Sequence, residues 1–500
     1  MDIWPALHCK QSFYPQEAGE TITRAIHCCI QGKTQPYYHR GGYSGSRFRP
    51  LHTGMGEWRQ YVSYGCEPAG AGGSCSLRCE RRDAMSIAVP TIISAEGIQQ
   101  RQLFLEEESL ALKRAVNREG IFLLGPRVQN LEGFLQARYQ VAQALGTNAG
   151  TSALELACEG LKERLVRDRL AYRQRSNYWH IMLPGKNGKR AERPALITTP
   201  LSYIATAYVA SRAGFDLYFA DIDAQGNLDP HAVCRAFTRR TNIVGVLPVH
   251  LYGQPCDMAA FLQIADEFGV RIIEDMAQAI DATYRLDGQL CLVGSKSFAA
   301  AISFYIGKNA GGEGDAGALL CTDSDLTDYL VAYRNQGRIN DRYTHPFYGG
   351  KYRMRALDAA MIELQMRTYL TDWIARRHDH ARRYHEGLAE LEARGQITRL
   401  AIDTGSALYK YTILCASAHE RDRVERHLTA NGVMTERIYP QLIPNQDMYA
   451  PGKKGALPCT VLPIPAAKDF SSRLLCLPMH EFLTEAEVDR VIAALMSAFV

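Results

Sequence analysis

The sequence predicts an α/β protein whose larger part is a mostly parallel sheet covered by helices. Three observations predict it. Short apolar strands alternate with helices from Ala195 to Ile273, a second α+β region follows Arg355, and 500 residues exceed one usual core.

The regular pattern begins at Glu106. An amphipathic helix is predicted over Glu106 to Asn117 and a second over Asn130 to Ala144. Ala195 to Thr199 then reads as an apolar strand, Ser202 to Ala213 as a helix, Leu217 to Asp221 as a strand, Pro230 to Thr238 as a helix, and Ile243 to His250 as a strand. Met258, Phe261, Leu262 and Ala265 fall at i, i+3, i+4 and i+7, with Asp257 placed to cap the helix they define. Val270 to Ile273 is the next strand. In sheets built this way, ligands sit outside the carboxyl ends of the strands.

Val166 to Arg193 interrupt the rhythm with a basic, Gly-containing stretch, which reads as a surface insertion, with a lid or substrate contact as the alternative. After Arg355 a helical region runs to about Arg394, Tyr409 to Ala416 reads as a strand, and helices over Glu420 to Asn431 and Glu485 to Phe499 follow. The expected organisation is therefore an N-terminal extension over 1–84, a large domain over 85–355 carrying the insertion 166–193, and a smaller α+β domain over 356–500.

Residues 1 to about 84 mix Gly, Ser, Arg, Tyr and Cys without helical or strand period, which predicts disorder or poor packing. Met85 opens a stretch that reads like an ordinary protein start, so the upstream part is either an extension or a misassigned beginning. Of 14 cysteines, Cys9, Cys28, Cys29, Cys66, Cys75 and Cys79 lie in this segment. No C-x-x-C pair is present, and no metal site is expected. A net charge of +4 with dispersed basic residues argues against nucleic acid as a partner. No apolar run approaches the roughly 18 residues that span a bilayer, and the start lacks a signal peptide, so a cytoplasmic protein without a membrane partner is expected.

Three stretches carry chemistry. In Ala149-Gly150-Thr151-Ser152-Ala153-Leu154, a glycine and two hydroxyl residues open a helix whose free N–H groups suit an anion such as a phosphate, although a plain helix cap is the favoured reading of this segment alone. Ile272-Ile273-Glu274-Asp275 ends a buried strand on a carboxylate, which can hold a proton on a heterocyclic nitrogen and make a pyridine ring an electron sink. A helix-capping Asp is the competing reading. Ser303-Phe304-Tyr305-Ile306-Gly307-Lys308-Asn309, followed by Gly311, Gly312, Gly314 and Gly317, sets a lysine after a hydrophobic strand, where desolvation turns an amine into a nucleophile toward an aldehyde.

Taken together, and with further stretches in register, these motifs resemble the DegT/DnrJ/EryC1/StrS family of pyridoxal-phosphate (PLP)-dependent sugar aminotransferases from roughly Met85 onward. The additional matches are Thr199 to Thr206, Phe219 to Asp223, Pro248 to Gln254, Arg334 to Gly337, Tyr352-Arg353-Met354 with Ala359-Ala360, and Tyr439-Pro440. The resemblance implies a fold-type-I PLP-dependent transferase, active as a homodimer with the site between subunits. Lys308 would carry the cofactor as a Schiff base and shuttle the substrate proton, Asp275 would pair with the pyridine nitrogen, and Gln278 would lie near the phenolic oxygen. Tyr203 would stack on the ring, and Gly150, Thr151 and Ser303 would hold the phosphate. Arg353 and Tyr439 line up with residues near the substrate and the subunit interface.

Two departures from the family pattern stand out. Lys351 replaces the Asn of the G-x-N-x-R segment, which reaches the phosphate of the neighbouring subunit's cofactor; a lysine meets a phosphate as a point charge. No His follows Tyr439-Pro440. The implied reaction moves an amino group from an amino acid, glutamate first, to a keto-sugar that is most simply nucleotide-linked. The alternatives are a sugar dehydratase, whose relatives carry His where Lys308 stands, and a non-catalytic regulator that keeps the fold. A Rossmann dehydrogenase is the rival at fold level, but the G-x-G-x-x-G match at Gly312, Gly314 and Gly317 comes late and opens no clear helix.

Overall fold

Seven of the eight strands of the main sheet run parallel, because crossovers, mostly helical, return the chain to the same edge between them. The computed structural model describes residues 92–175, 193–238, 240, 242–339 and 341–500. The expected extension 1–84 with its six cysteines, and residues 176–192 of the expected insertion, lie outside the described residues.

The helices in chain order are α1 (Ile98–Phe104), α2 (Glu106–Glu119), α3 (Gly125–Tyr139), α4 (Gly150–Arg175), α5 (Ala205–Ala213), α6 (Pro230–Phe237), α7 (Met258–Phe268), α8 (Thr327–Arg334), α9 (Ala356–Thr368), α10 (Leu370–Gly387), α11 (Ala389–Ala393), α12 (Ala418–Ala430), α13 (Pro465–Arg473) and α14 (Glu485–Ser497). The strands are β1 (Gln143–Thr147), β2 (Ala195–Thr198), β3 (Asp216–Phe219), β4 (Ile243–Leu247), β5 (Arg271–Asp275), β6 (Thr283–Leu286), β7 (Gln289–Leu292), β8 (Ala299–Ser303), β9 (Gly317–Cys321), β10 (Ile397–Arg399), β11 (Tyr411–Cys415), β12 (Cys459–Val461) and β13 (Leu474–Leu477).

The main sheet has the order β1-β9-β8-β5-β4-β2-β3-β12, and only β9 runs against the rest. Side chains alternate across it with period two. Ile197, Val246, Ile272 and Ala300 face a core shared with α3, α6, α7 and α9, whereas Leu196, Leu247, Ile273 and Ala301 face one shared with α4, α5, α8 and α13. Burial on both faces is why these strands read as continuous apolar runs. A second, antiparallel sheet in the order β10-β11-β13 packs against α10, α12 and α14 through Tyr384, Val424, Leu428, Val488 and Val491. Cys459–Val461, late in the chain, returns to the main sheet and pairs in parallel with β3.

Three elements differ from expectation. The helix expected to run to Ala144 stops at Tyr139, because Gln140 takes a left-handed φ of 53° and its N–H closes on Gln136 O. The chain then enters β1, all five residues of which are buried. The expected insertion starts as helix, since α4 continues to Arg175; Arg164 pairs with Asp323 at 2.5 Å and Arg167 with Glu163 at 2.8 Å along this stretch. The strand expected to reach His250 ends at Leu247, just before Pro248, which has no N–H to give a ladder. Asp257 does cap α7, accepting from Ala260 N. No helix among the described residues is long and apolar enough to cross a membrane.

Candidate active site

Four parallel strands deliver the candidate residues to one edge of the sheet. Gly150 and Thr151 follow β1, Tyr203 and Thr206 follow β2, Asp275 ends β5, and Ser303 ends β8, with Lys308 in the turn beyond. β5 and β8 are direct neighbours, with Asp275 opposite Ala301.

Asp275 is buried, and burial raises its carboxyl above the ordinary carboxylate value. Against this, Thr206 Oγ1 donates to Oδ2 at 2.8 Å, Ala277 N–H donates to Oδ1 at 3.2 Å, and the charge of Lys308 favours the ionised form. The carboxylate keeps lone pairs free for a further donor. Behind it, the backbone N–H of Cys256 donates to His250 Nδ1 at 2.9 Å, so the ring proton is on Nε2, which donates to Glu274 Oε2 at 2.9 Å. Both side chains are fully buried, and Gly294 N–H also donates to that Glu274 oxygen.

Lys308 sits in a loop held on itself: Lys308 N–H reaches Tyr305 O at 2.8 Å and Gly312 N–H reaches Phe304 O at 2.9 Å. A Cβ at Gly311 would lie 2.8 Å from Tyr305 O, so this turn closes only on glycine. The Lys308 ammonium faces the Tyr409 ring, with Nζ 4.4 Å from its centroid. Burial, reinforced by the charge of Lys410, brings the amine down to about 8 against the opposing pull of Asp275, Glu96 and Glu436.

Helix α4 and Ser303 form a close cradle. A Cβ on Gly150 would lie 2.6 Å from Ser303 Cβ and 3.0 Å from its Oγ, so only glycine lets the helix start approach the serine. An anion here would meet helix N–H groups and hydroxyls together. Gln278 accepts the Tyr252 N–H at 2.7 Å and donates to Tyr439 Oη at 3.0 Å. Tyr203 is 58% exposed, and its ring is tilted against Tyr439 at 6.1 Å. A solvent-open ring at this edge is available for stacking.

Two candidates stand apart. Lys351 is exposed, its backbone bridges Asn335, and no contact joins it to Lys308, Asp275 or Ser303 among the described residues. Arg353 bridges Thr147 through its backbone, and its Nε is buried without a hydrogen-bond partner.

The structure adds residues that sequence reasoning left without a role. Thr206 lies inside a quoted motif, and its donation to Asp275 emerges only in three dimensions. Arg101 from α1 donates to the carbonyls of Ile306 and Lys308 and pairs with Glu481 at 2.7 Å. Glu481 also binds Arg377 at 2.6 Å, which in turn holds Tyr409 O. One buried ion network thus grips both the lysine loop and the segment just before β11 that carries the facing aromatic ring.

An amine and a buried carboxylate at the carboxyl edge of a parallel sheet, beside an anion cradle at a helix start, suit an enzyme that acts on carbonyl and amino groups. More narrowly, the chain belongs to the DegT/DnrJ/EryC1/StrS aminotransferase family, whose pattern matches residues 181–496. It is 32% identical over 391 residues, 78% of this chain and 91% of the relative, to dTDP-3-amino-3,4,6-trideoxy-alpha-D-glucose transaminase of Streptomyces venezuelae. It is also 32% identical over 387 residues, 76% of this chain and 93% of the relative, to the erythromycin biosynthesis sensory transduction protein EryC1 of Saccharopolyspora erythraea. Among solved structures, S. venezuelae DesV in complex with a ketimine intermediate superposes with a TM-score of 0.68 at 28% identity, covering 81% of this chain and 98% of that one.

Proposed function

We propose that the chain is a PLP-dependent aminotransferase that moves an amino group from an amino acid, glutamate first, to a nucleotide-linked keto-sugar, working as a homodimer in the cytoplasm. The observation that carries the reading is the convergence on one sheet edge of Lys308, in the turn after β8, and buried Asp275, at the end of the neighbouring strand β5. The donor set fits the cofactor: the Gly150–Ser303 cradle, which a Cβ would fill, suits its phosphate, and Asp275 retains acceptor capacity for a ring N–H.

Bound PLP supplies an aldehyde carbon and an electron-accepting ring. Lys308, as an uncharged amine, would hold the cofactor through its aldehyde carbon and would take and return the proton at the substrate carbon that gains or loses the amino group. Asp275, whose ionised form the Thr206 hydroxyl and the Ala277 N–H favour against burial, would hold the positive charge on the ring nitrogen. Gly150, Thr151 and Ser303 would anchor the phosphate, Tyr203 would cover the ring face, and Gln278, hydrogen-bonded to Tyr439, would line the side of the phenolic oxygen. Arg353 and Lys351 are assigned to the substrate side and to the partner subunit's phosphate.

The sugar-nucleotide reading rests on the name of the 32% identical transaminase, and the name of the EryC1 relative speaks instead of sensory transduction. The retained amine, carboxylate and cradle support catalysis over a purely regulatory role. Incubation with nucleotide keto-sugars and nitrogen-15-labelled glutamate, followed by mass spectrometry, tests it. Label in an amino-sugar is expected; purified, PLP-loaded protein that labels none of a broad panel would count against the substrate class.

A further inference from the structure

Lys308 shares the Tyr409 ring with a second lysine. Lys410 Nζ lies 4.8 Å from the ring centroid and Lys308 Nζ lies 4.4 Å from it, so the two nitrogens are no farther apart than those distances together. The Lys410 side chain is 1% exposed. Its ammonium contacts Glu96 Oε1 at 3.1 Å and is hydrogen-bonded to Glu436, and Glu96 also accepts from Tyr409 Oη at 3.4 Å. A buried ammonium between two carboxylates is fixed in place, because leaving them would strand charges away from water.

We propose that Lys410 is a positioning residue for Lys308: pinned by Glu96 and Glu436, it sets a second positive charge against the shared Tyr409 ring and so keeps Lys308 a free amine. Two like charges sharing one ring in a water-poor pocket repel, and the one without a dedicated counter-charge gives up its proton first. Lys410 has two carboxylates in direct contact, whereas Asp275, the carboxylate at the Lys308 site, is already engaged by Thr206 and Ala277. The charged and titratable groups facing the pair are Asp275, Glu96, Glu436, Tyr409 and Cys476, with Arg101 on the Lys308 carbonyl and Arg377 on the Tyr409 carbonyl. Lys410 is the cation among them that lowers the Lys308 amine, second only to burial.

The inference rests on Lys308 being the reactive amine, and its test avoids turnover. In the cofactor-free full-length chain, labelling by acetic anhydride across pH, with peptide mass spectrometry, reads the titration of Lys308. Half-maximal labelling near pH 8 is expected for the unaltered chain, following its amine at about 8, and for Lys410→Arg, which keeps the charge. Lys410→Gln, whose amide can still donate to Glu96 and Glu436, should move the midpoint upward by on the order of one pH unit. Lys410→Met is the second neutral variant if the first does not fold. An unmoved midpoint in a folded neutral variant, or the same upward move in Lys410→Arg, overturns the proposal. Failure of the aminotransferase reading would show elsewhere, as cofactor bound to another lysine, and would leave these titrations unchanged.

Discussion

Thr206 Oγ1 donates to Asp275 Oδ2 at 2.8 Å, which joins the start of α5 to the end of β5 inside the core. Burial pushes the Asp275 carboxyl up and this donation pushes it down, so Thr206 helps decide whether the carboxylate is charged. In Thr206→Val, Asp275 should take up a proton at higher pH. The acid limb of kcat/KM should then move to higher pH, by up to about one unit. Asp275→Asn should bind PLP yet lose at least about a hundredfold in kcat, with both half-reactions slowed together. Near-normal rates in Asp275→Asn would reduce this carboxylate to a helix cap.

Lys308 carries a stability consequence as well. Its folded amine lies at about 8, below the ordinary value of 10.5, so between these pH values the unfolded chain holds a proton that the folded chain has lost. Stability of the cofactor-free protein therefore rises with pH through this window, and the cost of charging Lys308 is fully present below it. Lys308→Met should raise Tm at pH 7, and the difference should close between about pH 8 and 10.5. A Tm difference independent of pH would mean that the amine is not perturbed.

The His250–Glu274 pair supports the site from behind. His250→Leu leaves the fully buried Glu274 without its ring partner, which should cost roughly 2–4 kcal/mol and lower Tm while the PLP contacts stay in place. Differential scanning calorimetry on the two proteins at matched PLP measures it. An unchanged Tm would mean that Glu274 finds another donor.

The assignment of Lys351 to a partner subunit's phosphate leads to a different expectation, since its side chain is exposed in the single chain. Lys351→Glu should weaken PLP retention at limiting PLP without lowering the Tm of the cofactor-free protein. Equilibrium dialysis reads the first and sedimentation reports the dimer. Equal retention would remove Lys351 from the site.

Much of this arrangement is legible in the chain because the decisive motifs are contiguous. A glycine opening a helix, an Asp ending an apolar strand and a Lys following one are each written within a few residues, and the parallel α/β order then brings strand ends to one edge. What is not legible depends on register and distance. Arg101 meets Glu481 across 380 positions, and Lys410 meets Glu96 across 314. No local pattern marks either pair. The helix expected over Asn130 to Ala144 overlaps the first two residues of β1, and the break at Gln140 is made by a residue that only occasionally adopts a positive φ. β12 is three residues long, too short for a period to register, and gains its place from pairing with β3.

The central claim is that Lys308 is the amine to which the cofactor attaches, and one measurement reaches it directly. The native enzyme is reduced with borohydride, which fixes PLP on the lysine that holds it, then digested and mapped by mass spectrometry. The phosphopyridoxyl mass is expected on the peptide containing Lys308, and Lys308→Ala protein treated in parallel should carry no label there and show no transamination. Label on any other lysine, Lys410 included, or an active Lys308→Ala enzyme, would contradict the account.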